Sequence, residues 1–175
     1  MKPVLATVFS FFLLSSMGQS LADVRKEFHK AVLDPKQSRS FHHFMRDYEN
    51  PPSTIQAYAA VSEAMLAQVI WNPFTKLSQV IKYDKQMEII VKEDPENIEI
   101  RFLRLAIEYN LPAFLGMSDH IAEDMGVIKS GIKASNIDLD SYYREYIFYF
   151  LQQTNLCSNE ELAMMEDTFN IRSSD

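Results

Sequence analysis

Apolar residues recur at intervals of three and four along most of the chain, the period of helices that each bury one face. Ile55, Tyr58, Val61, Met65 and Val69 draw one stripe, and Phe74, Leu77, Val80, Ile81, Met87 and Val91 draw another. Prolines and capping residues set the boundaries. Asp23 is placed to cap a first helix over 23–33, closed by Asp34 and Pro35, and a second over 36–48 ends before Asn50, Pro51 and Pro52. Ser53 with Gln56 has the spacing of a capping box for a third. Asn72-Pro73 and Asp94-Pro95 each put a proline at a first helical position, opening a fourth and a fifth. The alternation of Ile98, Glu99, Ile100, Arg101 and Phe102 around 94–97 also fits a β-hairpin. The continuation through Leu105, Ala106 and Tyr109 at helical spacing, and the length of the run, favour helix.

Gly116, Gly126 and Gly131 then cluster in one segment, where Ser118 or Asp119 caps a helix through Ile128 with Gly116 and Gly131 at its two ends. Asp138 or Asp140 opens a helix dense in rings, Tyr142, Tyr143, Tyr146, Phe148, Tyr149 and Phe150. Ser158 with Glu161 forms a second capping box for a helix bearing Leu162, Met165 and Phe169. The expectation is an all-α fold of about eight helices arranged as antiparallel hairpins.

The first 22 residues break this amphipathic pattern. Lys2 precedes an apolar run over 4–14, followed by small and polar residues through Ser20, Leu21 and Ala22. That is the plan of a secretory signal peptide, cut after Ala22, and the run is short of the roughly 20 residues a bilayer span needs. Residues 23–175 are then expected to form a single exported helical domain, periplasmic or secreted, with no stable membrane insertion once the leader is removed. Charge narrows the partners: 17 basic against 24 acidic side chains leave a formal net charge of -7, which disfavours nucleic acid. Four glycines in 175 residues are too few for a glycine-rich phosphate cradle. Cys157 is the only cysteine, so the fold rests on packing without an intrachain disulfide.

From Asp94 to Tyr109 the chain resembles the helix-turn-helix junction of a tetratricopeptide (TPR) repeat, with Phe102, Leu105, Ala106 and Tyr109 at the large, leucine, small and tyrosine positions. The Ser53 and Asp94 starts are 41 residues apart. Such repeats run about 34 residues, so the resemblance implies stacked helix pairs, TPR-like over 53–129, with further helices over 138–170. Over 56–129 the chain is also similar to a family of small exported helical proteins of bacteroidete bacteria. The matching words are Ala57-Tyr58, Ala64-Met65-Leu66-Ala67, Asn72-Pro73-Phe74-Thr75-Lys76-Leu77, Asn97-Ile98-Glu99-Ile100-Arg101-Phe102, Pro112-Ala113-Phe114-Leu115 and Glu123-Asp124. That family has no assigned activity, so the likeness implies export and helices and supplies no catalytic residue.

The chemistry-bearing residues are few. His42 and His43 are neighbours on a helix and point about 100° apart, against the three- or four-residue spacing of helical metal ligands. No metal or cofactor is expected. Paired acids at Glu93-Asp94, Glu96 and Glu99, Glu123-Asp124 and Glu160-Glu161 fall mostly in first turns, where they complement the helix dipole. Arg101 and Arg104 stand in the most apolar helix and need partners; Glu123 and Asp124 are the candidates for an ion pair with Arg101. The functional expectation is an exported binding or scaffold module for a protein or peptide, with Tyr58, Arg101, Arg104 and an outward-facing Tyr143 as contact residues and no catalytic site. Two alternatives stand beside it: a cell-envelope hydrolase using clustered carboxylates such as Glu99 and Asp124, and a structural envelope protein without a dedicated ligand.

Overall fold

The structure is a computed structural model that describes residues 20–134 and 139–171. Eight α-helices follow one another: α1 (Leu21–Leu33), α2 (Ser38–Met45), α3 (Ser53–Gln68), α4 (Pro73–Glu93), α5 (Ile98–Asn110), α6 (Ile121–Lys133), α7 (Ser141–Gln153) and α8 (Asn159–Phe169). Single 3-10 turns at Pro35–Gln37 and Ala113–Leu115 precede α2 and α6, and no strand occurs among the described residues. The β-hairpin alternative around 94–97 is therefore not what forms.

α3 lies at the centre, packing on α1, α2, α4 and α5. Its sequence explains this: Ala57, Ala60, Ala64 and Ala67 line one face with small side chains, Tyr58, Val61 and Met65 fill the adjacent face, and Ile55, Ser62 and Glu63 are buried beyond them. A helix apolar around most of its circumference is stable only inside. α5 is the second interior helix, buried without interruption from Ile98 to Ala106, and packs on α6 as well as α3. α7 and α8 pair with each other, and one connected core joins Val24 and Phe28 of α1 to Ile147, Leu151, Met165 and Phe169 at the far end of the chain.

Local chemistry moves several boundaries from where the sequence places them. Ser20 caps α1, accepting from the Asp23 backbone N–H at 3.2 Å while its own N–H donates to the Asp23 carboxylate at 2.9 Å. Asp23 is thus the reciprocating acid of a capping box rather than the cap. Residues 1–19 of the expected leader lie outside the described residues, and Ser20 to Ala22 form the cap and first residues of α1. Ser53 is not a cap either: Pro52 holds that place, and the Ser53 hydroxyl reaches Asp94 at 3.3 Å. Asp94 ends α4, while Asn97 caps α5, accepting from the N–H groups of Glu99 and Ile100 at 3.1 and 3.2 Å. The expected second helix over 36–48 is a 3-10 turn running into the shorter α2, because Asp34 caps the turn through Lys36 N–H at 3.0 Å.

α6 starts after His120 with no side-chain cap and runs past Gly131 to Lys133, so Gly131 does not end it. Gly131 is where α6 meets α5: a Cβ there would lie 2.8 Å from Ile98 Cγ1. Asn72, Asp140 and Ser158 cap α4, α7 and α8, the last with Glu161 as a capping box. Asp138 lies outside the described residues.

Candidate functional site

Arg101 and Arg104 are three residues apart on α5, so they leave one face together and meet the first turn of α6. Arg104 grips Asp124 bidentately at 2.8 and 2.6 Å. Arg101 donates through one nitrogen to Glu123 at 2.6 Å and to Asp124 at 2.9 Å, and through Nε to the Pro95 carbonyl at 2.7 Å. Asp124 is completely buried and Arg101 and Arg104 nearly so, which makes this a closed interhelical brace. Glu123 is exposed, and its hydrogen bond from Arg101 holds its carboxyl below the usual glutamate range. Expected contact residues Arg101 and Arg104 are thereby turned inward, satisfied by the chain's own acids.

Tyr58 and Tyr143 meet in a second buried cluster. The Tyr58 hydroxyl donates to Glu99 at 2.7 Å, Arg25 donates to both oxygens of Glu99 at 2.8 and 2.6 Å, and Arg25 also reaches Asp140 at 2.7 Å. The Arg25 guanidinium lies 5.1 Å from the centre of the Tyr143 ring. Burial pushes both phenols well above the ordinary tyrosine range, so they stay protonated. Tyr58 is fully enclosed and Tyr143 is 2% exposed, so neither faces a partner.

Tyr143 faces inward because of the phase of its helix. The Asp140 cap sets the phase of α7 so that Tyr143, Ile147 and Leu151 fall on the inner face, leaving Tyr142 and Tyr149 outside. Glu99 and Asp124, the acids proposed for a hydrolytic cleft, are each saturated by guanidinium groups in separate buried clusters. Arg25, which joins α1, α5 and α7, carried no signal in the sequence: it stands beside buried Val24 like any flanking cation.

The histidines are dispersed. His42 lies 3.2 Å from the Ser62 hydroxyl and near Glu63, which takes an ion pair from Lys82, while His29 packs edge-on against Tyr142 and Tyr146. Among the described residues no three His, Cys, Asp or Glu side chains gather as metal ligands. Cys157 is a half-buried free thiol, held above its usual value by that burial. His120 bonds to Glu108 twice, through its backbone N–H at 3.1 Å and ring Nδ1 at 2.8 Å, and the Ser118 hydroxyl donates to the Glu108 carbonyl at 3.1 Å.

Burial raises the Glu108 carboxyl above the ordinary 4.5 of a glutamate, and the His120 bonds only partly offset that rise. The folded chain therefore keeps this proton at pH values where the unfolded chain has released it. The group's contribution to stability is present below pH 4.5 and lost as pH rises through the elevated value. Glu108→Gln, which cannot ionise, is expected to gain stability relative to the parent as pH rises from about 4 to about 7 in chemical unfolding. A difference constant across that window would mean that Glu108 titrates alike in both states.

A feature that opens outward lies elsewhere. Between the C-terminal end of α3, the first turns of α4, the end of α5 and the 3-10 turn Ala113–Leu115 lies a groove of about 520 Å³. Ala64 and Ala67 lie on its α3 side, where their small side chains leave room, and Leu77, Val80, Ile107 and Leu115 wall it. Two large rings of the lining stand in solvent, Phe74 at 82% and Phe114 at 86% exposed, and Trp71 in the α3–α4 connection, two residues before Pro73 of the lining, is 95% exposed.

Asn72 fixes this arrangement by capping α4 through Phe74 and Thr75 N–H at 2.9 and 3.1 Å, which turns Phe74 and Leu77 to the groove rather than the core. Tyr83 and Ile90 take core places on α4 that the sequence stripe did not include. On the other side Gly116, at φ +61, adopts the left-handed conformation that closes the turn carrying Phe114. Gln68, Lys76 and Asn110 are the polar members of the lining, and no carboxylate belongs to it. No protein-family model, curated protein or solved structure matches this chain.

Proposed function

We propose that the chain is an exported helical binding module that receives apolar side chains of a protein or peptide partner in the groove between α3, α4 and α5. The observation that carries this reading is the apolar groove with Phe74 and Phe114 exposed on its lining, and a third exposed ring, Trp71, two residues before Pro73 of the same lining. Leaving three large rings in water is unfavourable for an isolated chain, and apolar patches of this kind mark interaction surfaces. The volume falls within the roughly 300–1,000 Å³ of established ligand sites, and aromatic residues dominate the energetics of peptide anchoring. Stacked helical hairpins of the tetratricopeptide kind characteristically offer such faces, although the fold alone carries no function.

Random-peptide display against the folded chain tests the reading. Enrichment of peptides with clustered apolar anchors is expected, lost when Phe74→Ser and Phe114→Ser are combined. Both residues are solvent-exposed, so the doubly substituted chain keeps its helical circular dichroism. Trp71 is the sole tryptophan, and its emission should shift to shorter wavelength as a selected peptide covers it. Failure of any peptide to enrich would overturn the reading.

A further inference from the structure

The groove has an electrical polarity that its apolar walls conceal. α4 begins at it and α5 ends at it, so the positive end of one helix and the negative end of the other both face the space. Four other helix starts carry acids, Asp23 in α1, Glu99 in α5, Glu123 and Asp124 in α6, and Glu160 and Glu161 in α8, whereas the first turns of α2, α3 and α7 carry none. The first turn of α4 has no acid and is followed at once by Lys76, a cation at the end where a cation is unfavourable. The last turn of α5 has no base. Lys76 lines the groove, is exposed, and has no ion-pair partner among the described residues. The α4 N–H groups nearest the cap are already taken by Asn72, which leaves the Lys76 ammonium as the available cationic donor.

On the reading of the groove as a peptide site, we propose that its occupant is an apolar segment of a partner protein carrying an Asp or Glu within one helical turn of its anchoring side chains, whose carboxylate pairs with Lys76. The net charge of -7 would repel an acidic partner at long range. That repulsion is screened beyond about 8 Å at physiological salt, whereas the Lys76 contact is made at hydrogen-bond distance. The apolar anchors supply affinity and the charge selects the partner and its direction in the groove.

Peptide display on the parent chain and on Lys76→Glu tests this separately from binding itself. The parent pool should be rich in Asp or Glu beside apolar anchors, and the Lys76→Glu pool should lose that preference or turn to Lys and Arg. A synthetic peptide from the parent pool should bind about three- to fivefold more weakly when its acid is replaced by Gln, the range of a solvent-accessible ion pair. Against Lys76→Gln the same replacement should change nothing. Enrichment without an acid, or an acid preference that survives Lys76→Glu, overturns the proposal while leaving the peptide-binding reading intact. So does concentration-dependent self-association abolished by Phe114→Ser, which would make a second copy the occupant. A long-chain carboxylate that shifts Trp71 emission where no peptide enriches would overturn both.

Discussion

Asp124→Ala is expected to lower the unfolding free energy by about 3–5 kcal/mol, because it strands two guanidinium groups inside the protein. Asp124 is completely buried and is the shared acceptor of Arg101 and Arg104, with contacts between 2.6 and 2.9 Å. Glu123 remains after the change, 2.6 Å from Arg101 but 3.6 Å from Arg104, so Arg104 bears most of the loss. Glu123→Ala should cost no more than about 1 kcal/mol, since that carboxylate is exposed and water replaces it. Chemical unfolding measures both. The decisive companion is the triple change Asp124→Leu, Arg101→Met, Arg104→Leu, which removes the stranded charges and should recover much of the stability. A drop below about 1 kcal/mol for Asp124→Ala would mean that water reaches the arginines and that the α5–α6 brace contributes little.

The helical character of the chain was legible because its signals are local. Three- and four-residue spacing, prolines at first turns and the caps Asn72, Asp140 and Ser158 act within a few residues, and the structure uses them as such. At the starts of α1 and α5 the sequence misplaced the cap because two residues competed for one role. Ser20 outbid Asp23, and Asn97 lay three positions beyond Asp94 with a side chain better placed to accept two backbone N–H groups. Which side of a helix faces inward depends on its neighbours instead. Tyr143 was assigned outward and is buried, whereas Phe74 and Leu77 continue the core stripe of α4 on paper yet face the groove. Arg25 was invisible for the same reason: its partners Glu99 and Asp140 are 74 and 115 residues away in sequence. The groove arises where α3, α4, α5 and the 3-10 turn meet, and no single segment encodes it.

Phe102→Ala is expected to cost about 3–5 kcal/mol, the range for truncating a fully buried phenylalanine. Phe102 is completely enclosed, and its ring meets those of Tyr143, Tyr146 and Phe150 edge to face at 6.0, 5.6 and 5.3 Å. Each such pair contributes about 0.5–1.5 kcal/mol beyond area burial, and all three partners lie on α7. One side chain of α5 thus anchors much of the aromatic face of α7, and the loss should be regional as well as global. Hydrogen exchange should show faster exchange of α7 and α8 amides in Phe102→Ala, with the central α3 amides hastened only as far as the loss of global stability dictates. Phe102→Leu keeps apolar volume but loses the edge-to-face geometry, so it should fall between the parent and the alanine variant. Uniform acceleration through every helix would instead mean that α7 unfolds only with the whole core. In that case the Arg25 bridge to Glu99 and Asp140, which couples the same helix to α1 and α5, would be holding α7 in register without the ring.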